Sequence, residues 1–267
     1  MIEIFSYEGW GWISFAASLG VFLGHNFWVV GGARSKKVLR IEAHVGHHFP
    51  NSESAILPER IADFRLLSAR GETVLGQGKI EGTALLAEAA HVSHGTQMTV
   101  LSLHPRAITL EEKTFTKYIQ EEDALVSVTP DFLPGVTTTA QHEIYSKYAK
   151  AILTTGDDDV ACRVVGQKME IVPELNPATL RPGARLPIRV LLDGKPVAGA
   201  RVSSGCDRSH AGGYIAHTRT DTQGRAQIQL SVGGYWFVRS HLIRRHLDPT
   251  VAQWESFWPS LTFRVDD

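Results

Sequence analysis

Three imidazoles fall within five residues, at His44, His47 and His48, in a chain that carries 12 histidines. Neutral imidazole is a good ligand for Zn, Cu, Ni, Co and Fe ions. A strand that gives way to a loop can turn several side chains towards one point. No cysteine lies nearby, so a site here has nitrogen and oxygen ligands. The competing reading is local: at such corners a histidine such as His44 or His48 often bonds the adjacent backbone. His25 follows a charge-free apolar run and offers a second kind of donor. If the chain were cleaved after Gly24, the α-amino group and the ring of His25 would both face one ion, and an α-amine titrates near pH ~8. His241 ends the apolar run Tyr235-Trp236-Phe237-Val238, at a strand end beside loops, where function tends to sit. His91 and His94 lie in strand-like sequence and need not share a face. Asp157 to Asp159 lack the spaced oxygen ligands of a calcium loop and read as a solvated turn.

Other chemistry finds no motif. The chain has no Gly-x-Ser-x-Gly elbow, phosphate loop or His-Glu-x-x-His pattern. Its 27 basic and 28 acidic residues give a net charge of -1. That balance argues against nucleic acid as partner, since phosphate binding needs a basic excess or patch. Arg244-Arg245-His246 is too short to supply one. The two cysteines, Cys162 and Cys206, fit neither a thiolate metal site nor a disulfide scaffold, and whether they pair stays open.

The elements that would position these residues are mostly strands. Trp12 to Leu23 is apolar and about the length of a signal-peptide core, shorter than the roughly 20 residues of a spanning helix. Residues 1–24 are therefore expected to be a signal peptide, although Glu3 and Glu8 occupy the place of a basic start. A buried first strand or helix is the other reading. Leu39, Ile41, Ala43 and Val45 alternate with polar residues, which predicts a half-buried strand. Further strands are expected over Ile61 to Leu67, Val74 to Ile80, Ala84 to Ala90, Gln97 to Leu103 and Tyr145 to Leu153. Thr109 to Leu125 predicts the one helix, with Thr109 and Glu112 as a capping box and Leu110, Phe115, Tyr118 and Ile119 approximating one apolar face. Beyond Gly166, about seven short strands, the last over Leu261 to Val265, with turns at Asp193-Gly194 and Asp221 to Gly224 suggest a β-sandwich. The expected architecture is all-β. It comprises an N-terminal β-sandwich over 25–166 with the short helix, and an Ig-like or transthyretin-like β-sandwich over 167–267.

Several segments taken in order resemble one family. They are His25-Asn26-Phe27-Trp28, Val45-Gly46-His47-His48-Phe49-Pro50, FTKYIQEEDAL from Phe115, YSKYAK from Tyr145, LNPATL from Leu175, LLDGKPVAGA from Leu191, and Trp254-Glu255-Ser256 before Leu261-Thr262-Phe263. The set is similar to the NikM-like exported proteins, often described as periplasmic components of TonB-dependent nickel, cobalt or iron uptake. The resemblance runs from His25 to about Val265. It implies tandem β-sandwiches and a role in transition-metal binding or transport. His25 matches the family's first histidine and His47 its Gly-His-x-Phe-Pro histidine, with His48 at the variable position. His241 matches a histidine after the tryptophan-containing strand.

The leading expectation is a non-catalytic periplasmic or secreted protein that binds a divalent Ni, Co, Cu, Zn or Fe ion. His25, His47, His48 and His241 are the candidate ligands, with Glu255 in reserve. An outer-membrane TonB-dependent receptor or an inner-membrane metal transporter would be its partner. The alternative is a metal-free Ig-like adhesion or ligand-binding module, with Trp254, Phe257 and Trp258 forming a surface. A metallo-oxygenase using a histidine clamp is a third reading, without independent support.

Overall fold

The computed structural model describes residues 4–5, 25–91, 94–123, 139–154, 156–208 and 216–267. The apolar run Trp12 to Leu23, expected as a leader, lies outside them. The described chain is dominated by strands, as the alternating sequence predicts, with one α-helix, Glu112–Glu122.

One eleven-stranded sheet runs through both halves of the chain. Its centre is a parallel pair, Gln141–Thr154 beside Trp254–Val265, in register from Glu143↔Trp254 to Ala151↔Thr262. On one side follow Gln97–Leu103, Ile61–Ser68 and Gly71–Val74; on the other Gly234–Ser240, Arg201–Cys206 and Ala216–Arg219. Each half adds a four-stranded sheet. Asn26–Ala33, Val38–Gly46, Ala84–Ala90 and Lys79–Glu81 form the N-terminal one. Met169–Pro173, Arg185–Leu192, Lys195–Pro196 and Arg225–Gln229 form the C-terminal one. The expected division near Gly166 thus separates two small sheets that share one large sheet.

Trp254–Val265 reads as a near-continuous run of buried residues because both of its faces are covered. Phe257, Leu261, Phe263 and Val265 enter the C-terminal core with Met169, Ile188 and Trp236. The alternate residues Ser260 and Thr262 turn to the N-terminal sheet, where their hydroxyls donate to the carbonyls of Phe27 (2.6 Å) and Val29. Gln141–Thr154 divides its residues in the same way. Tyr148 and Ile152 join the C-terminal core, while Ala149 and Ala151 pack on Phe27, Val29, Leu39 and Ile41 in the N-terminal one.

Local expectations meet mixed outcomes. Leu39, Ile41 and Ala43 are fully buried on one face of Val38–Gly46. Ala84–Ala90 and Gln97–Leu103 have the expected bounds. Asp193 and Gly194 both take positive φ (49° and 72°), the backbone that a two-residue hairpin requires. Val74 to Ile80 is not one strand: glycines 76 and 78 take positive φ and separate Gly71–Val74 from Lys79–Glu81. The helix buries Phe115, Tyr118 and Ile119 as predicted, but Thr109 does not cap it. Thr109 belongs to the strand Arg106–Leu110, where its hydroxyl meets His142 Nδ1 at 2.7 Å. Cys162 and Cys206 do not form a disulfide with each other.

Candidate functional site

The N-terminal sheet brings two of the sequence-predicted histidines together by register. Asn26 pairs with Gly46 at the end of an antiparallel ladder. The residues one step beyond, His25 and His47, therefore leave the sheet side by side. Asn26 Nδ2 fixes this end by donating to the His47 carbonyl at 2.7 Å. The His25 and His47 ring centroids are 4.0 Å apart, edge to face.

A short loop returns to the same corner. Glu53 N–H donates to the Val45 carbonyl at 2.8 Å, and Ser54 bridges Val45. The return requires Gly46, because a Cβ there would stand 2.2 Å from the Asn51 carbonyl oxygen. The loop delivers the Glu53 carboxylate to both imidazoles. Glu53 Oε2 lies 2.7 Å from His47 Nδ1 and 3.4 Å from His25 Nε2. Its Oε1 accepts the His47 backbone N–H at 3.0 Å. That bond, foremost, holds the Glu53 carboxyl below its ordinary range. Burial, followed by the proximity of His47 and Lys147, lowers the His25 pKa. One donor atom from each of His25, His47 and Glu53 lies within 4.8 Å of the others. Two imidazole nitrogens and one carboxylate oxygen, with the His47 and Glu53 side chains about two-fifths exposed, form a set that suits a borderline divalent ion.

The remaining candidates lie apart from this trio. His48 is exposed, its ring centroid 6.5 Å from that of His47. His44 stacks on Trp28, with Nε2 3.6 Å from Glu42. Glu255 binds Arg244 at 2.6 Å and faces Lys168. His241 is 4% exposed and stacks on Trp258, centroids 3.7 Å apart. Its Nε2 meets Tyr118 Oη at 3.0 Å. Trp254, Phe257 and Trp258, which the metal-free alternative would place on a surface, are all buried.

Sequence reasoning missed Glu53. Its one signal was an acidic residue six positions after His47, just beyond the Phe49-Pro50 corner. It also missed a polar assembly behind His25. Tyr118, Glu143, Lys147 and Trp258 line a cavity of about 270 Å³ that reaches His25. Lys147 Nζ donates to the His25 carbonyl at 2.5 Å. Glu143 Oε1 accepts from Tyr118 Oη at 3.2 Å and from Ser256 Oγ, whose oxygen also accepts Trp258 Nε1–H at 3.0 Å. Burial pushes the Glu143 carboxyl up to about 7 and the Lys147 ammonium down to about 7.

Among solved structures, the chain shares 10% identity with the D0-D1 domain of Intimin, over 89% of this chain and 97% of that one, at a TM-score of 0.23. It shares 12% with the human OSCAR ligand-binding domain (91% and 97% covered, TM-score 0.20). It shares 8% with domains MG0-NIE-MG1 of alpha-2-macroglobulin from Escherichia coli (82% and 92% covered, TM-score 0.21). No match is found among the curated proteins. The model of DUF4198, described as a domain of unknown function, matches residues 22–244, and the chain belongs to that family.

Proposed function

We propose that the protein binds one divalent transition ion at the corner formed by His25, His47 and Glu53, as a non-catalytic carrier outside the cytoplasm. The observation that supports this is the convergence of three donors within 4.8 Å from three separate chain positions. An ordinary ion pair needs one imidazole, whereas here the carboxylate faces two, and the second is positioned by the sheet register. The resemblance to NikM-like proteins supports a place in nickel, cobalt or iron uptake, with export to the periplasm and a TonB-dependent receptor or membrane transporter as partner. Cleavage before His25 would add its α-amine as a further nitrogen donor.

The test is equilibrium dialysis of chelator-stripped protein against Ni, Co, Cu and Zn, with N-terminal mass analysis of the same exported sample. The full chain should retain about one equivalent of at least one ion. His47→Ala should weaken that binding at least tenfold, about 1.4 kcal/mol, while His48→Ala should leave it unchanged. Retention of none of the four ions, or equal loss in both variants, overturns the proposal.

A further inference from the structure

The cavity behind His25 has features that the trio does not use. Glu143 lines the cavity and is 2% exposed, and its Oε2 is buried with no hydrogen-bond partner among the described residues. A buried carboxylate oxygen left unpaired costs about 1–3 kcal/mol or more, so this atom is a vacant acceptor in a place where vacancies are expensive. On the same strand face, Lys147 brings an ammonium to the cavity, 5.6 Å from the centroid of the Trp258 ring. Trp258 reaches Glu143 through Ser256. Acid and base therefore stand around one indole with no direct hydrogen bond between them among the described residues. Arg60, whose buried Nε is also unpaired, lines the chamber with Lys147. Between these charges the wall is apolar, with Leu103, Ile108 and Trp258.

We infer that this chamber is a second ligand site, for a small zwitterion of the α-amino-acid class with an apolar side chain. Its ammonium meets Glu143, its carboxylate meets Lys147 and Arg60, and its body packs on Leu103, Ile108 and Trp258. A simple anion would face the buried Glu143 carboxylate, and a simple cation would face Lys147 and Arg60. A zwitterion satisfies both ends at once. At roughly 30 Å³ per water-sized group, a volume of about 270 Å³ holds a molecule of this size. The inference does not rest on the metal reading, because Glu143, Lys147 and Arg60 are not among its donors.

The test uses the full chain, stripped of metal, in calorimetric titrations with L-leucine, L-methionine and L-phenylalanine. The controls are 4-methylpentanoate, which lacks the ammonium, and 3-methylbutylamine, which lacks the carboxylate. At least one amino acid should bind, and both controls should bind at least tenfold more weakly than L-leucine. Glu143→Gln should weaken the best amino acid about tenfold and narrow the gap between L-leucine and 4-methylpentanoate. Lys147→Met should narrow the gap to 3-methylbutylamine instead. The ligand series on the unaltered protein stands even if a variant does not fold. No binding of any amino acid at about 10 mM, or 4-methylpentanoate binding as tightly as L-leucine, overturns the inference.

Discussion

Lys150 and Glu170 form an ion pair that is 0% and 1% exposed, with Nζ and Oε2 2.8 Å apart. The pair joins the two halves: Lys150 stands on the central strand Gln141–Thr154 and Glu170 on Met169–Pro173 of the C-terminal sheet. Burial depresses the Lys150 pKa, so the pair carries a desolvation cost that only its partners offset. Lys150→Met keeps the length and apolar stem of the side chain and removes the charge. Glu170 would then be a buried carboxylate held by the Val165 and Gly166 backbone N–H groups alone, each at 3.1 Å. Breaking one side of a buried pair typically costs 3–5 kcal/mol. The two retained donors place the expected loss at the lower end, about 3 kcal/mol. The double variant Lys150→Met/Glu170→Gln leaves no uncompensated charge, and its amide oxygen can still accept from one of the two backbone N–H groups. It should recover to within about 1.5 kcal/mol of the parent, because neutral replacement of a buried pair is often nearly free. Urea unfolding followed by tryptophan fluorescence measures both, with the slope against denaturant unchanged. A single-variant loss under about 1 kcal/mol, or a double variant less stable than the single, would refute the reasoning.

Glu143 offers a second stability prediction. Its carboxyl rises from an ordinary 4.5 to about 7 through burial, so the native state binds the proton more tightly than the unfolded chain. The stability that this proton linkage contributes is complete below pH 4.5 and is lost as pH rises to about 7. Tyr118 and Ser256 face the carboxyl directly, Lys147 opposes its charge, and His241 lies behind Tyr118. Glu143→Gln should therefore gain on the parent by up to about 3 kcal/mol between pH 5 and pH 8 in thermal or urea unfolding. A parent-to-variant difference that does not change with pH would count against it. The thiols give a third prediction. Burial pushes the Cys206 thiol up to about 11, whereas Cys162 is only partly buried. At neutral pH an aromatic disulfide reagent should label Cys162 first and Cys206 only on unfolding. Equal labelling rates in the native protein would show Cys206 to be accessible.

Period-two alternation made the strand Val38–Gly46 legible in the sequence, because one of its faces is buried and the other half-exposed. Trp254–Val265 was recognised only over its last five residues. A strand covered on both faces does not alternate, and its serines and threonines mimic a turn while they bond another sheet's carbonyls. The helix was legible from its buried face, Phe115, Tyr118 and Ile119, but not at its start, since the hydroxyl of Thr109 has a tertiary partner in His142. His25 and His47 were legible as histidines at two ends of strands. Their meeting depends on a register that a single sequence does not specify. Glu53 was invisible because its role comes from a loop return that Gly46 permits. His241 had the right type and position on its strand, but the structure turns it inward onto Trp258, away from the trio.

The central strand explains why the ion corner and the cavity are neighbours. Along one face of Gln141–Thr154, Ala151 and Ala149 lie in the N-terminal core, Lys147 holds the carbonyl of His25, and Glu143 ends in the polar assembly under the helix. The opposite face places Lys150 against Glu170 in the C-terminal half. A displacement of this strand would thus move the His25 backbone, the cavity floor and the buried ion pair together. Lys147 has the most direct effect, since its ammonium is both a wall of the cavity and the donor that holds His25. A ligand that draws Lys147 towards its carboxylate competes for that donor with the His25 carbonyl, at the corner where Glu53 and His47 converge. Coupling between two sites requires one element whose position both ligands bias, and Lys147 is placed to be that element.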